Sequence, residues 1–305
     1  MARGRRAREA GDSSAGAEAA GTLLRGDLLH KALGDVSRTA DGSGYAFTRL
    51  TCCGKGVTTL PNALQLYVHL RYIDISGNRI RDLTPFSRLP YLLTLNAAGN
   101  QIEDITCFSF PEALPYLFLL NLSSNKISRV PRLALQRLAR LALDANPITT
   151  LEGFVQPPSL THLSLRGTPL ETLDSLPPSD TITSLYLSHT PMQQLRQLQQ
   201  LPQIKTLDLE GVPLPPDQIN VLVQLPKLRE VCLSSTDPYM EEEHFRAEIL
   251  RVLPRLHWIN GSAVTSDELK AARALREANA QRENELSEAQ NEKEEKQESK
   301  ENTAG

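Results

Sequence analysis

The sequence predicts an α/β repeat solenoid with helical caps and a charged C-terminal tail, and three observations carry that reading. A pattern of the form L-x-x-L-x-L-x-x-N-x-I recurs through the middle of the chain, from starts at Phe47, Leu70, Leu92, Leu117, Leu138, Leu160, Ile182, Ile204 and Leu228. Successive starts are 23, 22, 25, 21, 22, 22, 22 and 24 residues apart, so about nine copies follow a period near 22. The turn position holds Asn78, Asn100, Asn125 and Asn146 in four consecutive copies, and Thr168, Thr190, Val212 and Thr236 in the later ones. A period of this length changes the whole fold assignment, because each copy buries its apolar face only against its neighbours.

The elements follow in order. Residues 1–22, rich in arginine and alanine without an apolar run behind them, read as a flexible basic arm and not as a secretory leader. Residues 23–46 read as an N-terminal helical cap, since Leu28, Leu29, Ala32, Leu33 and Val36 fall at helical spacing after Asp27, a candidate N-cap.

Residues 47–236 are the leucine-rich repeats. Positions 4 and 6 of each copy alternate inward on a short strand while positions 3 and 5 face out. Roughly ten residues remain for the return path of each repeat. Pro157-Pro158, Pro177-Pro178 and Pro215-Pro216 forbid a long helix there, so short turns and 3₁₀ pieces are expected. The exception is a short helix after Asp217. The four asparagines are expected to satisfy backbone groups that would otherwise be buried unpaired at about 1–3 kcal/mol each. Threonine can do part of that work and Val212 none of it.

Residues 237–262 read as a C-terminal cap: a helix carrying Phe245, Ile249 and Leu253 on one face, with Trp258 as the lid over the open end of the core. Residues 263–305 read as a charged tail, helical or disordered, without the sustained seam of a coiled coil.

Chemistry is sparse. With 33 Lys plus Arg against 36 Asp plus Glu, the formal charge is −3, which gives no field that would identify nucleic acid or an anionic membrane as the partner. No stretch approaches eighteen uncharged apolar residues. Cys52, Cys53, Cys107 and Cys232 have no metal-ligand spacing and are too few for a disulfide framework, so they read as free thiols of a reducing compartment. Gly54-Lys55-Gly56 lacks the earlier glycine and the following hydroxyl of a phosphate loop. The six histidines include no H-E-x-x-H pair. The expectation is therefore a protein with no catalytic residues, cofactor or metal, and no small-molecule substrate.

What remains is surface. Outward positions of the repeats include Tyr72, Asp74, Leu119, Arg140, His162, Arg166 and Tyr186, and Tyr and Arg are the types that dominate protein interfaces. These seven are the candidate partner-binding residues.

The run Val68-His-Leu-Arg-Tyr-Ile-Asp-Ile-Ser-Gly-Asn78, continuing through Asp82-Leu-Thr-Pro-Phe86 and Leu92-Leu-Thr-Leu95, resembles the leucine-rich repeat-containing protein 23 family of motile cilia. Leu228-Arg-Glu-Val231, Phe245-Arg-Ala-Glu248 and Leu253-Pro-Arg-Leu256 resemble that family's last repeat and cap. The resemblance implies a structural adaptor of the ciliary or flagellar axoneme, in a radial spoke, with other axonemal proteins as partners and a location in the cytoplasm and cytoskeleton. Two other classes share the repeat length: a regulatory subunit of a protein phosphatase, which calls for a continuous concave belt of aromatic and acidic residues, and a spliceosomal protein, which calls for a basic stripe. Here the concave belt is sparse, and the sequence reads as lacking a basic stripe.

Overall fold

A computed structural model describes residues 22–39, 42–213, 216–234 and 242–282. The basic arm through residue 21, the Thr236 turn, Asp237, the Asp217 side chain and the tail beyond residue 282 lie outside these residues.

Leucine-rich periodicity becomes one long sheet. Strand β1 (Thr22–Leu23) and helix α1 (Asp27–Ala32) lead to β2 (Leu33–Arg38), β3 (Tyr45–Thr51) and β4 (Val57–Thr59). The repeats then supply β5 (Tyr72–Asp74), β6 (Thr94–Asn96), β7 (Leu119–Asn121), β8 (Arg140–Ala142), β9 (His162–Ser164), β10 (Ser184–Tyr186), β11 (Thr206–Leu209) and β12 (Glu230–Leu233). Helix α2 (Pro216–Val223) lies before β12, and α3 (Glu242–Val252), β13 (Trp258–Ile259), β14 (Ser262–Ala263) and α4 (266–282) follow it. Strands β3 and β5 to β13 pair in parallel, β2 and β14 add antiparallel at the two ends, and β1 pairs separately with β4.

Strand positions 4 and 6, such as Ile73, Ile75, Leu120 and Leu122, are buried, as the period of two requires. The return paths carry 3₁₀ turns at Asn62–Leu66, Thr84–Phe86, Thr106–Phe108 and Arg196–Gln200. Pro85 starts one of them, where its missing N–H costs nothing. Phe86 and Phe108 plug the interior beneath two of these turns with no exposed surface.

Asparagine ties each turn to the one before. The Asn100 Oδ1 accepts the Ile80 N–H at 3.0 Å, while its amide donates to the carbonyls of Ile75 at 3.1 Å and Ala97 at 3.0 Å. Asn125 does the same with Ile102 N–H, Ala97 and Leu122, and Asn146 with Ile127 N–H, Leu122 and Leu143. Asn78 binds Lys55 and Val57 N–H and the Cys52 carbonyl, so Gly54-Lys55-Gly56 is the turn of the first copy. In the later copies the reach shortens. The Thr168 and Thr190 hydroxyls donate only within their own turns, to Leu165 at 2.8 Å and Leu187 at 2.7 Å. Val212 has only its backbone N–H to give, to Leu209. With no asparagine following it, Ile148 N–H turns back to the Asn146 carbonyl. In these seven copies the residue before the turn slot is left-handed: Gly77, Gly99, Gly167 and Gly211 have φ between 61° and 69°, and Ser124, Ala145 and His189 accept the same conformation at 51° to 58°.

Both caps depart from the sequence reading. The front is a hairpin and not a helix: only Asp27–Ala32 is helical, Gly26 with φ 55° holds the N-cap position with no side-chain cap, and Leu33–Arg38 is a strand on β3. Val36, expected on the buried helix face, is 60% exposed. Gly34 disfavours the helix and the β-branched Val36 favours the strand, and the left-handed Asp35 lets its carbonyl take the Thr48 hydroxyl at 2.7 Å.

At the back, Trp258 is no lid. Its side chain is 46% exposed on β13, and the seal is made by Ile249, Leu250, Leu253, Leu256 and Ile259 with Phe245 half-buried beside them. The expected tail contributes as well, because α4 lies on this cap with Ala272 buried and Leu269 packed in. The buried Arg246 bonds to Glu268 at 2.5 Å and to the Ile259 carbonyl at 2.8 Å.

The Glu268 carboxyl is lowered from 4.5 to about 2, first by the Arg246 hydrogen bond, against burial, with Thr265 N–H and hydroxyl adding to the effect. Its contribution to stability is thus present above the ordinary value and is lost as pH falls through about 2. Glu268→Gln should flatten the acid limb of the stability curve between about pH 4.5 and 2 relative to the wild type, as read by urea titration at a series of pH values. At neutral pH, Glu268→Ala should cost about 2–3 kcal/mol by stranding Arg246, and Trp258→Ala under about 1 kcal/mol. For the ladder, Asn125→Ala should cost about 3 kcal/mol against about 1 kcal/mol for Thr190→Val, since the first strands donors and acceptors of two repeats.

Candidate protein-binding site

The concave face is built by register. Successive strands align Arg49, Tyr72, Thr94, Leu119, Arg140, His162, Ser184, Thr206, Glu230 and Trp258 in one column. The neighbouring column contains Asp74, Asn96, Asn121, Ala142, Ser164, Tyr186, Asp208 and Cys232. Parallel pairing at about 4.8 Å puts each side chain within reach of its counterparts one strand away.

Two aromatic and arginine pairs organise this surface. Near its front the Arg49 guanidinium lies 5.0 Å over the Tyr72 ring and pairs with Asp35 at 2.5 Å. Further along, the Arg166 guanidinium lies 4.5 Å over the Tyr186 ring and pairs with the buried Asp208 at 2.7 Å. Such contacts hold long cationic side chains in fixed rotamers before any partner arrives. Asp74 accepts the Ser76 hydroxyl at 2.7 Å and the Asn96 amide at 3.1 Å. Burial works to raise its carboxyl, but the hydrogen bonds from Ser76, Cys53 and Asn96 hold it below the ordinary carboxylate value, so it presents a fixed negative charge.

Between the pairs lies a shallow depression lined by Leu119, Arg140, Ala142, His162, Ser164 and Tyr186. Tyr72, Arg140 and Arg166 are exposed, whereas Leu119, Asp74, His162 and Tyr186 are half-buried. The structure therefore gathers Leu119, Arg140, His162 and Tyr186 around one floor, adjoined by Arg166, and leaves Tyr72 and Asp74 in a second shallow hollow with Arg49. His162 shares a 2.8 Å hydrogen bond with the Thr161 hydroxyl.

Two members of this surface were missed from the sequence. Arg49 sits in the degenerate first copy, where the pattern is weakest. Trp258 is position 3 of a tenth copy: Leu256-His257-Trp258-Ile259 has the same L-x-x-I start as Leu70-Arg71-Tyr72-Ile73, but it comes 28 residues after Leu228 because α3 is inserted. Asn260 completes that copy by accepting the Leu233 N–H at 2.9 Å.

A second surface lies beside the first. The residues just before and just after the first leucine of each copy form two more columns, and the later of these is held by a backbone ladder from Arg71 N–H onto Thr48 to His257 N–H onto Arg229. His69 and Tyr91 stack there at 5.8 Å, and Arg137 lies 4.7 Å over Tyr116. Phe118, in the same copy as Tyr116, is 49% exposed on this flank.

On the convex side a cleft holds Cys107, Phe110 and Pro111. Burial, with Asp82 and Asp104 nearby, pushes the Cys107 thiol up to about 12, so it remains protonated at neutral pH. Among the described residues no three His, Cys, Asp or Glu side chains converge to hold a metal ion, and no helix is long and apolar enough to cross a membrane.

Comparison with known proteins agrees with this geometry. The Leucine Rich Repeat family model matches residues 69–89. The leucine-rich-repeat domain of APL1B shares the fold at a TM-score of 0.52 and 17% identity, over 70% of this chain and 64% of that one. The chain is a leucine-rich-repeat solenoid. It is 35% identical over 78 residues to bovine (Bos taurus) leucine-rich repeat-containing protein 23, covering 26% of this chain and 22% of that protein. It is 38% identical over 76 residues to the human (Homo sapiens) leucine-rich repeat and guanylate kinase domain-containing protein, covering 25% of this chain and 9% of that one. The aligned part thus spans about a fifth or less of these curated relatives. Fold and kinship together support a protein-interaction role.

The His162 imidazole is held below its ordinary value, first by burial and then by the Arg140 charge. Its proton resonances should therefore titrate below 6.5, and the midpoint should rise in Arg140→Ala while staying put in Arg166→Ala.

Proposed function

We propose that the chain is a non-enzymatic structural adaptor of the ciliary or flagellar axoneme, in a radial spoke, that holds a protein segment along its concave sheet. The observation that carries the mechanism is the pair of pre-set arginine and tyrosine contacts, Arg49 with Tyr72 and Arg166 with Tyr186, flanking a floor of Leu119, Arg140 and His162. Aromatic and arginine anchors in a partly desolvated hollow are the features that concentrate binding energy in interfaces. A rigid sheet loses little conformational entropy on docking, so more of the contact energy appears as affinity. The location rests on the 78-residue kinship with leucine-rich repeat-containing protein 23.

The chemistry of the face favours an extended segment with acidic and apolar side chains. Arg49 and Arg140, with Arg166 just beyond the strand end, supply positive charge, and Tyr72, Leu119, Tyr186 and Trp258 supply apolar area along the two columns. Fixed carboxylates at Asp74 and Asp208 lie between them, so the segment would be matched in register and not by charge alone.

Replacing Tyr72, Arg140 and Tyr186 together by alanine should release the protein from detergent-extracted axonemes about tenfold or more, with a melting curve close to wild type, because none of the three is fully buried. A tagged wild-type copy should decorate the axoneme. Diffuse or nuclear signal would refute the location, and full retention of the triple variant on axonemes would refute the concave-face mechanism.

A further inference from the structure

The flank beside the concave face has a composition of its own. Its two columns, read through the nine copies from His69 and Arg71 to Arg255 and His257, hold six Arg or Lys side chains, two His and no carboxylate. The six are Arg71, Arg137, Lys205, Lys227, Arg229 and Arg255. None of them forms an ion pair among the described residues, although Asp180 adjoins the columns just ahead of Thr181. In a chain whose formal charge is −3, this segregation leaves a one-signed strip, a basic stripe the sequence reading did not expect because its members are scattered at one or two per copy and align only through the strand register.

The strip is most concentrated at its C-terminal end. There Arg229 and Arg255 sit close enough that the charge of Arg229, after burial, lowers the Arg255 guanidinium. Arg255 donates to the Leu222 carbonyl at 3.0 Å and to Val223 at 2.6 Å, yet its buried Nε has no hydrogen-bond partner. Among the described residues, Lys227 bonds only to the neutral Gln203 amide oxygen, and Arg229 only to the backbone carbonyls of Pro226 and Leu228. Like charges brought together without counter-charge are a cost that an anionic group laid across them removes.

The described chain ends at that same place. Helix α4 runs alongside α3 in the same direction, Glu268 against Arg246 and the Arg276 guanidinium donating to the Arg251 carbonyl at 2.6 Å. The C-terminal half of α4 is thereby set beside the end of α3, from which the chain turns directly into Arg255 and His257. Residues 283–305 follow, with eight glutamates and three lysines, a charge of 3 − 8 = −5.

We propose that the basic flank is a docking surface for an acidic polypeptide segment, and that its occupant is this chain's own residues 283–305. Reach is ample: 23 residues span up to about 75 Å when extended, while nine strands cover only about 40 Å. Tethering at the end of the strip places the glutamates at a millimolar-scale effective concentration, about what several weak charge contacts need in order to be populated. The exposed Phe118 and the stacked His69 and Tyr91 continue the strip toward the front of the solenoid, where the stems of the later glutamates find apolar area to cover.

The test uses the full chain at low concentration with a carbodiimide that joins carboxylates to lysine amines at zero length. Glutamates of 283–305 should couple to Lys205 and Lys227 within single chains, and about 0.5 M salt should suppress this about tenfold. The double variant Arg137→Glu, Arg229→Glu leaves both amines in place and should suppress coupling to a similar extent. A tail variant, Glu292→Gln with Glu294→Gln and Glu295→Gln, does not touch the solenoid and should weaken coupling at the remaining glutamates. Equal coupling to Lys31, Lys55 and Lys126 on other faces would overturn the proposal. So would yields unmoved by the tail variant, or links formed between isotopically distinct chains, which would assign the flank to a second copy.

Discussion

Short strands joined by tight turns leave backbone groups pointing into the interior of the stack, and the side-chain amide of asparagine is what reaches them. At Asn100 and Asn125 one carboxamide accepts from the preceding repeat, donates to its carbonyl, and donates again to its own turn. Burying such groups unpaired would cost about 1–3 kcal/mol apiece, so the leucine core of the asparagine copies depends on this network. Once the turns are locked in register, strand positions 3 and 5 must line up from copy to copy. The columns on the concave face follow from the same bonds that keep the core closed.

Because the columns are fixed by register, neighbouring surfaces differ chemically with little exchange between them. Tyr72, Arg140 and Trp258 share the concave column, while Tyr116, Arg137 and Lys227 belong to the flank. Alternation along a strand turns one residue of sequence into a change of face. A single sheet can thus hold a protein segment along one side and an acidic stretch along its rim without either contact disturbing the leucines beneath.

Most of the fold was legible in the sequence because leucine spacing and the asparagine slot report the same geometry twice. The ends were not, and the reasons are local. Leu28, Leu29, Ala32 and Leu33 satisfy a helical spacing that Gly34 and Val36 then interrupt, and periodicity over so short a stretch cannot arbitrate between helix and hairpin. Trp258 was misplaced because an inserted helix lengthened the spacing before it, hiding a tenth copy whose first four residues follow the pattern. Of the candidate site, the column identities were readable from Tyr72, Leu119 and Arg140. The ring-to-guanidinium pairings were not, since they join residues one repeat or more apart. Arg246 and Glu268, which bind the supposed tail to the cap, are 22 residues apart and carried no pattern at all.

The replacement of asparagine by threonine midway along the chain has a mechanical meaning. Where Asn78 to Asn146 stand, adjacent coils are stapled through side chains as well as through the sheet. Where Thr168, Thr190 and Val212 stand, no turn side chain reaches the neighbouring copy, and the coils are joined by the sheet, the packed leucines and contacts outside the turn slot, such as Leu195 N–H onto Gln218 and Arg166 onto Asp208, until Asn260 reaches across to Leu233 N–H. A load applied across the solenoid would therefore be carried by buried turn bonds under Tyr72 and by partly exposed bonds around Arg166 and Tyr186.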